Sequence, residues 1–378
     1  MDNKVSGVNK MKEMLSGLMT NKATMVKYVS YTLIAIMIIG LISYTRNKMN
    51  LGTVNCDTIE NVYSSFPSIS SFNVNDASYQ YKLRDYYIKT AYNCCCSGQF
   101  KNDWVGECAL KACIKQGARV LDFEIYSVND EPVIATSSVK NYTVKQTYND
   151  IPLKTAMQIV NNYAFAGGSC PNPNDPLILH FRISSNNEKI YKKMADTIYS
   201  TIGPKLLGKK YSYEYNGHNL GTEPLSTFVN KIIISVDRSN PLYETTPLKE
   251  YVNIASNSVF LRASREHDVK FTPDSNELIE FNKKNMSFTM PDLSVSNNNV
   301  SSALCFSYGC QWVGMCFQNF DSNMEYYSLF FDKVGHAFVL KPDNLRFVPA
   351  TIPNPKPQSP ENSYTTRTTK TDYYSVSV

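Results

Sequence analysis

The chain has 378 residues, 43% of them hydrophobic, and a formal net charge of +5. That supplies a sizeable buried core, while the mild positive balance, with no Lys/Arg run and no nucleic-acid module, excludes a dedicated DNA or RNA binder.

Residues 28–45, YVSYTLIAIMIIGLISYT, carry no charge. As a helix at 1.5 Å per residue they span about 27 Å, close to the hydrocarbon thickness of a bilayer. Lys22 and Lys27 before the run, Arg46 and Lys48 after it, and tyrosines at both ends are membrane-interface chemistry, so one transmembrane helix is expected. Lysines at 4, 10, 12, 22 and 27 precede it. By the positive-inside rule the segment 1–27 is then cytosolic and the large C-terminal part faces a lumen or the exterior. Residues 46–80, polar and rich in Ser and Asn, read as a stalk leading to a globular domain over 81–350.

Ten cysteines suit a disulfide-permitting compartment. Cys108 with Cys113, the run Cys94, Cys95 and Cys96, and Cys305, Cys310 and Cys316 are the candidates, with connectivity open. The triple run is no zinc pattern, because adjacent strand residues point to opposite faces and no histidine lies near. Sequons at Asn141, Asn285 and Asn299 agree with lumenal exposure.

Strand and helix signals then alternate. The apolar periodicity predicts a helix over 106–116, a strand over 118–127, a strand over 176–184, a helix over 186–206 and a strand over 230–237. Helices of this length between strands imply parallel strands with right-handed crossovers, in a barrel or a doubly wound sheet. Residues 351–378, rich in Pro, Ser and Thr, read as a flexible tail.

Several segments, taken together, resemble the X and Y regions of phosphatidylinositol-specific phospholipase C. YYIKTAYNCCCSG (86–98) is similar to the family's YFISSSHNTYLTG, and GARVLDFEIYSVNDEPVIATS from Gly117 is similar to GCRxxELDxWDGxxxEPVVYHG. YAF (163–165) and PLILHFRIS (176–184) resemble YAF and PVILSLENH. GCQWVGMCFQNFDSNM from Gly309 and HAFVLKPDNLR from His336 resemble GCQMVALNFQTxDxxM and GYxLKPxxLR. The resemblance covers about residues 81–347 in the family's order. It implies an α/β fold, a distorted TIM-type (β/α) barrel of the PLC-like phosphodiesterase kind behind the N-terminal transmembrane helix.

The family's activity, as the resemblance implies it, uses two histidines and calcium to move a phosphoryl group. The first histidine position is Tyr92 and the second is Thr136, and neither residue is a neutral-pH acid or base. Of the calcium-ligand positions, Asn93 is kept, Asp122 and Glu124 are exchanged carboxylates, and the fourth is Arg182, a permanent cation. Period-two alternation aims Arg182 at the two carboxylates, so its guanidinium is expected to take the calcium position. The headgroup positions keep Lys231 but carry Ser235 and Asp237, and the family's later arginine and tyrosine align near Phe288 and Met290. Four histidines exist; His180, one pleat from Arg182, is the alternative acid or base, whereas His218 and His267 lie in polar loops and His336 replaces a family glycine.

These substitutions imply a membrane-anchored, catalytically inactive relative acting as a structural or binding module, with no cofactor. The alternative is an active phosphodiesterase with altered acid/base residues, which would need calcium. Expected partners are the membrane through 28–45, a phospholipid and an unidentified protein. The wealth of Asn, Lys and Tyr, the single anchor and the degenerate domain resemble proteins of large DNA viruses, which implies a virion membrane.

Overall fold

The computed structural model describes residues 9–17, 22–139, 143–349 and 366–378. Eight parallel strands form its centre: β1 (Tyr86–Ala91), β2 (Val120–Val128), β5 (Leu177–Ile183), β6 (Ile232–Asp237), β7 (Ile254–Ser256), β8 (Leu261–Arg265), β9 (Met286–Met290) and β10 (Trp312–Met315). Their order, β7-β6-β5-β2-β1-β10-β9-β8, is a barrel closed everywhere except between its two end strands, β7 and β8. Three short strands, β3 (Glu131–Ile134), β4 (Ile151–Pro152) and β11 (Phe338–Leu340), add antiparallel pairs outside this ring.

Residues of β1 and β5 are buried along their whole length, as expected of parallel strands covered on both faces. The expected helices and strands occur within a few residues of their predicted bounds. Helix α2 is Glu107–Lys115, α3 is Leu153–Tyr163 and α4 is Glu188–Ile202. Helix α4 shows why: Ile190, Met194, Ile198 and Ile202 recur every fourth residue and are buried, and the Asn187 side chain caps the first turn by accepting from the Lys189 N–H.

The N-terminal helix α1 (Lys22–Val62) is longer than the apolar run suggests. It is long and apolar enough to cross a membrane, and its most apolar stretch is uncovered by the rest of the chain. It continues without a break through the first half of the segment read as a stalk, as far as Val62, and lies against the barrel. Gly52 sits on the Trp104 ring, where a Cβ would come within 3.1 Å. Asn55 donates to Asp103 at 2.8 Å, Cys56 is disulfide-bonded to Cys108, and Ile59 is buried in the core.

That disulfide corrects the cysteine expectation. Cys108 is paired, but with Cys56; Cys94, Cys95, Cys96, Cys113, Cys305, Cys310 and Cys316 are buried thiols. They are buried in the core, where cysteine serves as a small apolar residue. The sequons also read differently once folded. Asn299 is buried with its amide donating to the carbonyl of Asn319 and to Asp321, Asn285 is half-buried, and Asn141 lies outside the described residues. Within the expected tail, residues 368–370 and 375–377 pair as a small antiparallel hairpin, and 350–365 lie outside the described residues.

Below the barrel, Asp175 accepts from the Phe72 N–H at 3.1 Å and from Asn172 at 3.0 Å. Burial pushes its carboxyl up to about 6, against the nearby charge of Arg119. A folded value above the unfolded one gives stability that is full below about pH 4 and is lost as pH rises through about 6. Asp175→Asn is therefore expected to remove about 2–3 kcal/mol of the stability change between about pH 4 and pH 7. Urea unfolding at both ends of that range measures it, and identical slopes in the two proteins would refute it.

Candidate functional site

The C-terminal strand ends converge on one cleft of about 370 Å3, lined by residues that include Glu124, Arg182, Asp237, Arg265 and Met290. This is the end of a (β/α) barrel at which side chains from several strands meet a ligand.

Register brings the central charges together. β2 and β5 pair so that Asp122 lies beside His180 and Glu124 beside Arg182. Asn93 follows β1 at a φ of 45°, a left-handed position that asparagine tolerates. Its N–H donates to Asp122 Oδ2 at 3.0 Å. The Arg182 guanidinium fills the space between them. Its Nε donates to Asp122 Oδ1 at 3.0 Å, and its Nη2 to Asp122 Oδ2 at 2.9 Å and Asn93 Oδ1 at 2.6 Å. Nη1 stands 3.4 Å from Glu124 Oε2.

These charges set one another's protonation. Burial alone would raise the Asp122 carboxyl, but the charge of Arg182 and the hydrogen bond from His180 hold it well below the usual carboxylate range. Burial wins at Glu124, whose carboxyl is raised despite Arg182. Burial would lower Arg182, yet Asp122 holds it well above its ordinary value. The cation is therefore permanent.

Tyr92 lies flat beneath this group, with Arg182 Cζ 4.7 Å from its ring centroid, a cation–π contact in a desolvated setting. Its hydroxyl accepts from Arg265 Nη1 at 3.2 Å, and burial raises its phenol against the charges of Arg182 and Arg265. Thr136 is buried and donates to the Phe100 carbonyl at 3.0 Å.

The remaining sequence-derived positions divide by place. His180 is fully buried, with Nδ1 2.7 Å from Asp122, Nε2 2.9 Å from the Ser256 hydroxyl and Phe288 edge-on at 5.0 Å. Both ring nitrogens are engaged away from the cleft, so His180 orients Asp122 rather than meeting a ligand. Ser235 is buried beside it. Asp237 reaches the cleft but is tied to Asn257 and the Ser239 N–H. Lys231 precedes β6, about 20 Å from the strand's cleft end at 3.3 Å per residue. Of the two aligned positions in β9, Phe288 is core and Met290 lines the cleft.

Sequence reasoning missed Arg265, at the end of β8. It donates to Tyr92 and, at 2.7 Å, to the Pro291 carbonyl. The strand LRASR is short and polar on alternate positions, so no apolar run announces it.

Calcium requires oxygen ligands turned toward one point. Here the amide oxygen of Asn93 and the carboxylates of Asp122 and Glu124 all turn toward the Arg182 guanidinium. Among the described residues no group of three or more His, Cys, Asp or Glu side chains is arranged to hold a metal. The donor set does not fit the ion.

Two family models match the chain: phosphatidylinositol-specific phospholipase C, X domain, over residues 79–238, and phosphatidylinositol-specific phospholipase C, Y domain, over residues 246–344. The chain belongs to the phosphatidylinositol-specific phospholipase C-like family. Crystal structures of PLC21 from L. pealei and from S. officinalis share the fold, each with a TM-score of 0.59, at 17% and 16% identity. The matches cover 71% of this chain but 38% of each of those chains. Comparison with curated proteins yields no match. Within this phospholipase C-like barrel, the X-region strands β1, β2 and β5 supply the Arg182 cluster, and the Y-region strands β8 and β9 supply Arg265 and the far wall of the cleft.

Proposed function

We propose that this chain is a membrane-anchored, non-catalytic member of the family that works as a binding or structural module. The observation that carries the reading is Arg182: its guanidinium holds the side chains of Asn93, Asp122 and Glu124 in place of an ion. Tyr92 and Thr136, at the family's histidine positions, have no proton to exchange near neutral pH. His180 cannot substitute, being buried behind Asp122. The length and apolar character of α1 support the anchor, with the N-terminus cytosolic and the barrel on the lumenal or exterior side. The Cys56–Cys108 disulfide suits an oxidising compartment of that kind.

The test is hydrolysis of phosphatidylinositol in mixed micelles by the full chain, with and without calcium, beside the triple variant Tyr92→His, Thr136→His, Arg182→Glu. The wild type is expected to release no inositol phosphate under either condition, and the variant to gain slow, calcium-dependent turnover. Turnover by the wild type would overturn the reading.

A further inference from the structure

The segment ahead of α1 holds a second, shorter helix. Residues 9–17, NKMKEMLSG, are helical, and every one of them is exposed. At 3.6 residues per turn their side chains sort by chemistry. Met11, Met14 and Leu15 share one stripe, at 66%, 71% and 53% exposure. Lys10 and Lys12 stand about 100° to either side of Met11, and Glu13 lies opposite the stripe. An apolar stripe flanked by lysine stems, with the acid farthest from it, is the pattern of a helix lying in a lipid–water interface.

A helix this short is marginal in water by itself, because so few hydrogen bonds do not offset the cost of nucleation. It therefore needs a surface over its apolar stripe. The barrel cannot supply one. Helix α1 is continuous over Lys22–Val62 and meets the barrel from Lys48 onward, so with residues 28–45 in the bilayer the barrel and residues 9–17 lie on opposite faces. The bilayer itself is within reach. Only residues 18–21 separate the short helix from Lys22, a tether of at most about 18 Å. Lys22 in turn stands about 9 Å along the helix axis from Tyr28, where the apolar run begins. Charge points to the same surface, since residues 1–27 carry five lysines against Asp2 and Glu13 and a cytosolic leaflet is anionic.

We propose that the helix over residues 9–17 lies along the leaflet opposite the barrel, with Met11, Met14 and Leu15 at the acyl boundary and Lys10 and Lys12 on anionic headgroups. The proposal rests on the anchoring reading above. Through so short a tether, a helix held on the surface also limits how far α1 can slide along the bilayer normal. The occupant of the stripe is lipid, and a protein or a second copy of the chain in its place is an outcome that would defeat the proposal.

The full chain carrying Met14→Trp, and separately Glu13→Trp, is reconstituted in vesicles of phosphatidylcholine and phosphatidylserine, with or without bromine atoms on the acyl chains. Retention is checked by alkaline extraction. The wild type, whose tryptophans are Trp104 and Trp312, supplies the background emission to subtract. Brominated lipid is expected to quench the emission added at position 14 and to spare that added at position 13. Adding Met11→Glu and Leu15→Glu to Met14→Trp abolishes the quenching, and leaving out phosphatidylserine reduces it. A chain that resists extraction but is unquenched at position 14, or equally quenched at both positions, overturns the proposal and leaves the anchor standing. Unquenched emission shifted to the blue at position 14 marks a protein over the stripe and overturns it likewise. Quenching indifferent to phosphatidylserine overturns the assignment to anionic headgroups. A chain that washes off overturns both the proposal and the anchor.

Discussion

Arg182→Ala is expected to destabilise the full chain by about 3–5 kcal/mol, the cost of removing one partner from a buried ion pair. The loss exceeds that of a surface pair because Asp122 is fully buried and Glu124 nearly so, and no water can replace the guanidinium's four contacts cheaply. The pH profile carries a second signature. A carboxyl held below its unfolded value gives stability that is present above about pH 4 and is lost as pH falls through the folded value. That is the case for Asp122, while Glu124, raised by burial, works in the opposite sense. Without Arg182 the folded carboxyl of Asp122 rises, so the acid-side loss attributable to it should shrink, its onset still set by the unfolded value. Arg182→Lys keeps the charge but not the planar fork, and should fall between the two. Arg182→Glu should behave differently again: destabilised in chelator and restored by millimolar calcium, whereas the wild-type melting temperature ignores the ion. Urea and thermal unfolding of the detergent-solubilised chain measure all of this. A wild type stabilised by calcium, or an Arg182→Ala variant as stable as the wild type, would contradict it.

Replacing Cys56 and Cys108 by serine is expected to cost about 4 kcal/mol, from the loop-closure entropy of a 52-residue separation. Asn55 to Asp103 and Trp104 to the Lys48 carbonyl would survive the change, so the helix should fray from the barrel rather than leave it. Reductant should mimic the substitution in the wild type and do nothing further to the variant. Equal unfolding midpoints for the two proteins, with and without reductant, would show that α1 owes its docking to packing alone.

The strands that sequence reasoning located, β2, β5 and β6, are six to nine residues long and carry several apolar residues each. Strands β7 and β8 escaped because they are three and five residues long and sit at the ring's one unpaired seam. The meeting of Arg182 with Asp122 was legible because period two fixes which residues share a strand face, and register adds only a sideways shift. Arg265 was not legible, since an arginine in a short polar segment looks like a loop residue. The docked half of α1 left a faint signal: Lys48, Gly52, Asn55, Cys56, Ile59 and Tyr63 recur at helical spacing, but only two of them are strongly apolar. The Cys56–Cys108 pair was hidden by its sequence separation, while the eye-catching triple run at 94–96 turned out to be core.

The internal guanidinium has one more consequence. A bound ion comes and goes with its concentration, so a calcium-filled barrel changes charge and rigidity between a calcium-poor cytosol and a calcium-rich exterior. A cation tethered by its own side chain has no dissociated state to populate, because its effective concentration does not depend on the medium. The cleft of this protein therefore presents the same charges during synthesis, during passage through any compartment and at its destination, and whatever it meets there meets a surface that is always switched to one setting.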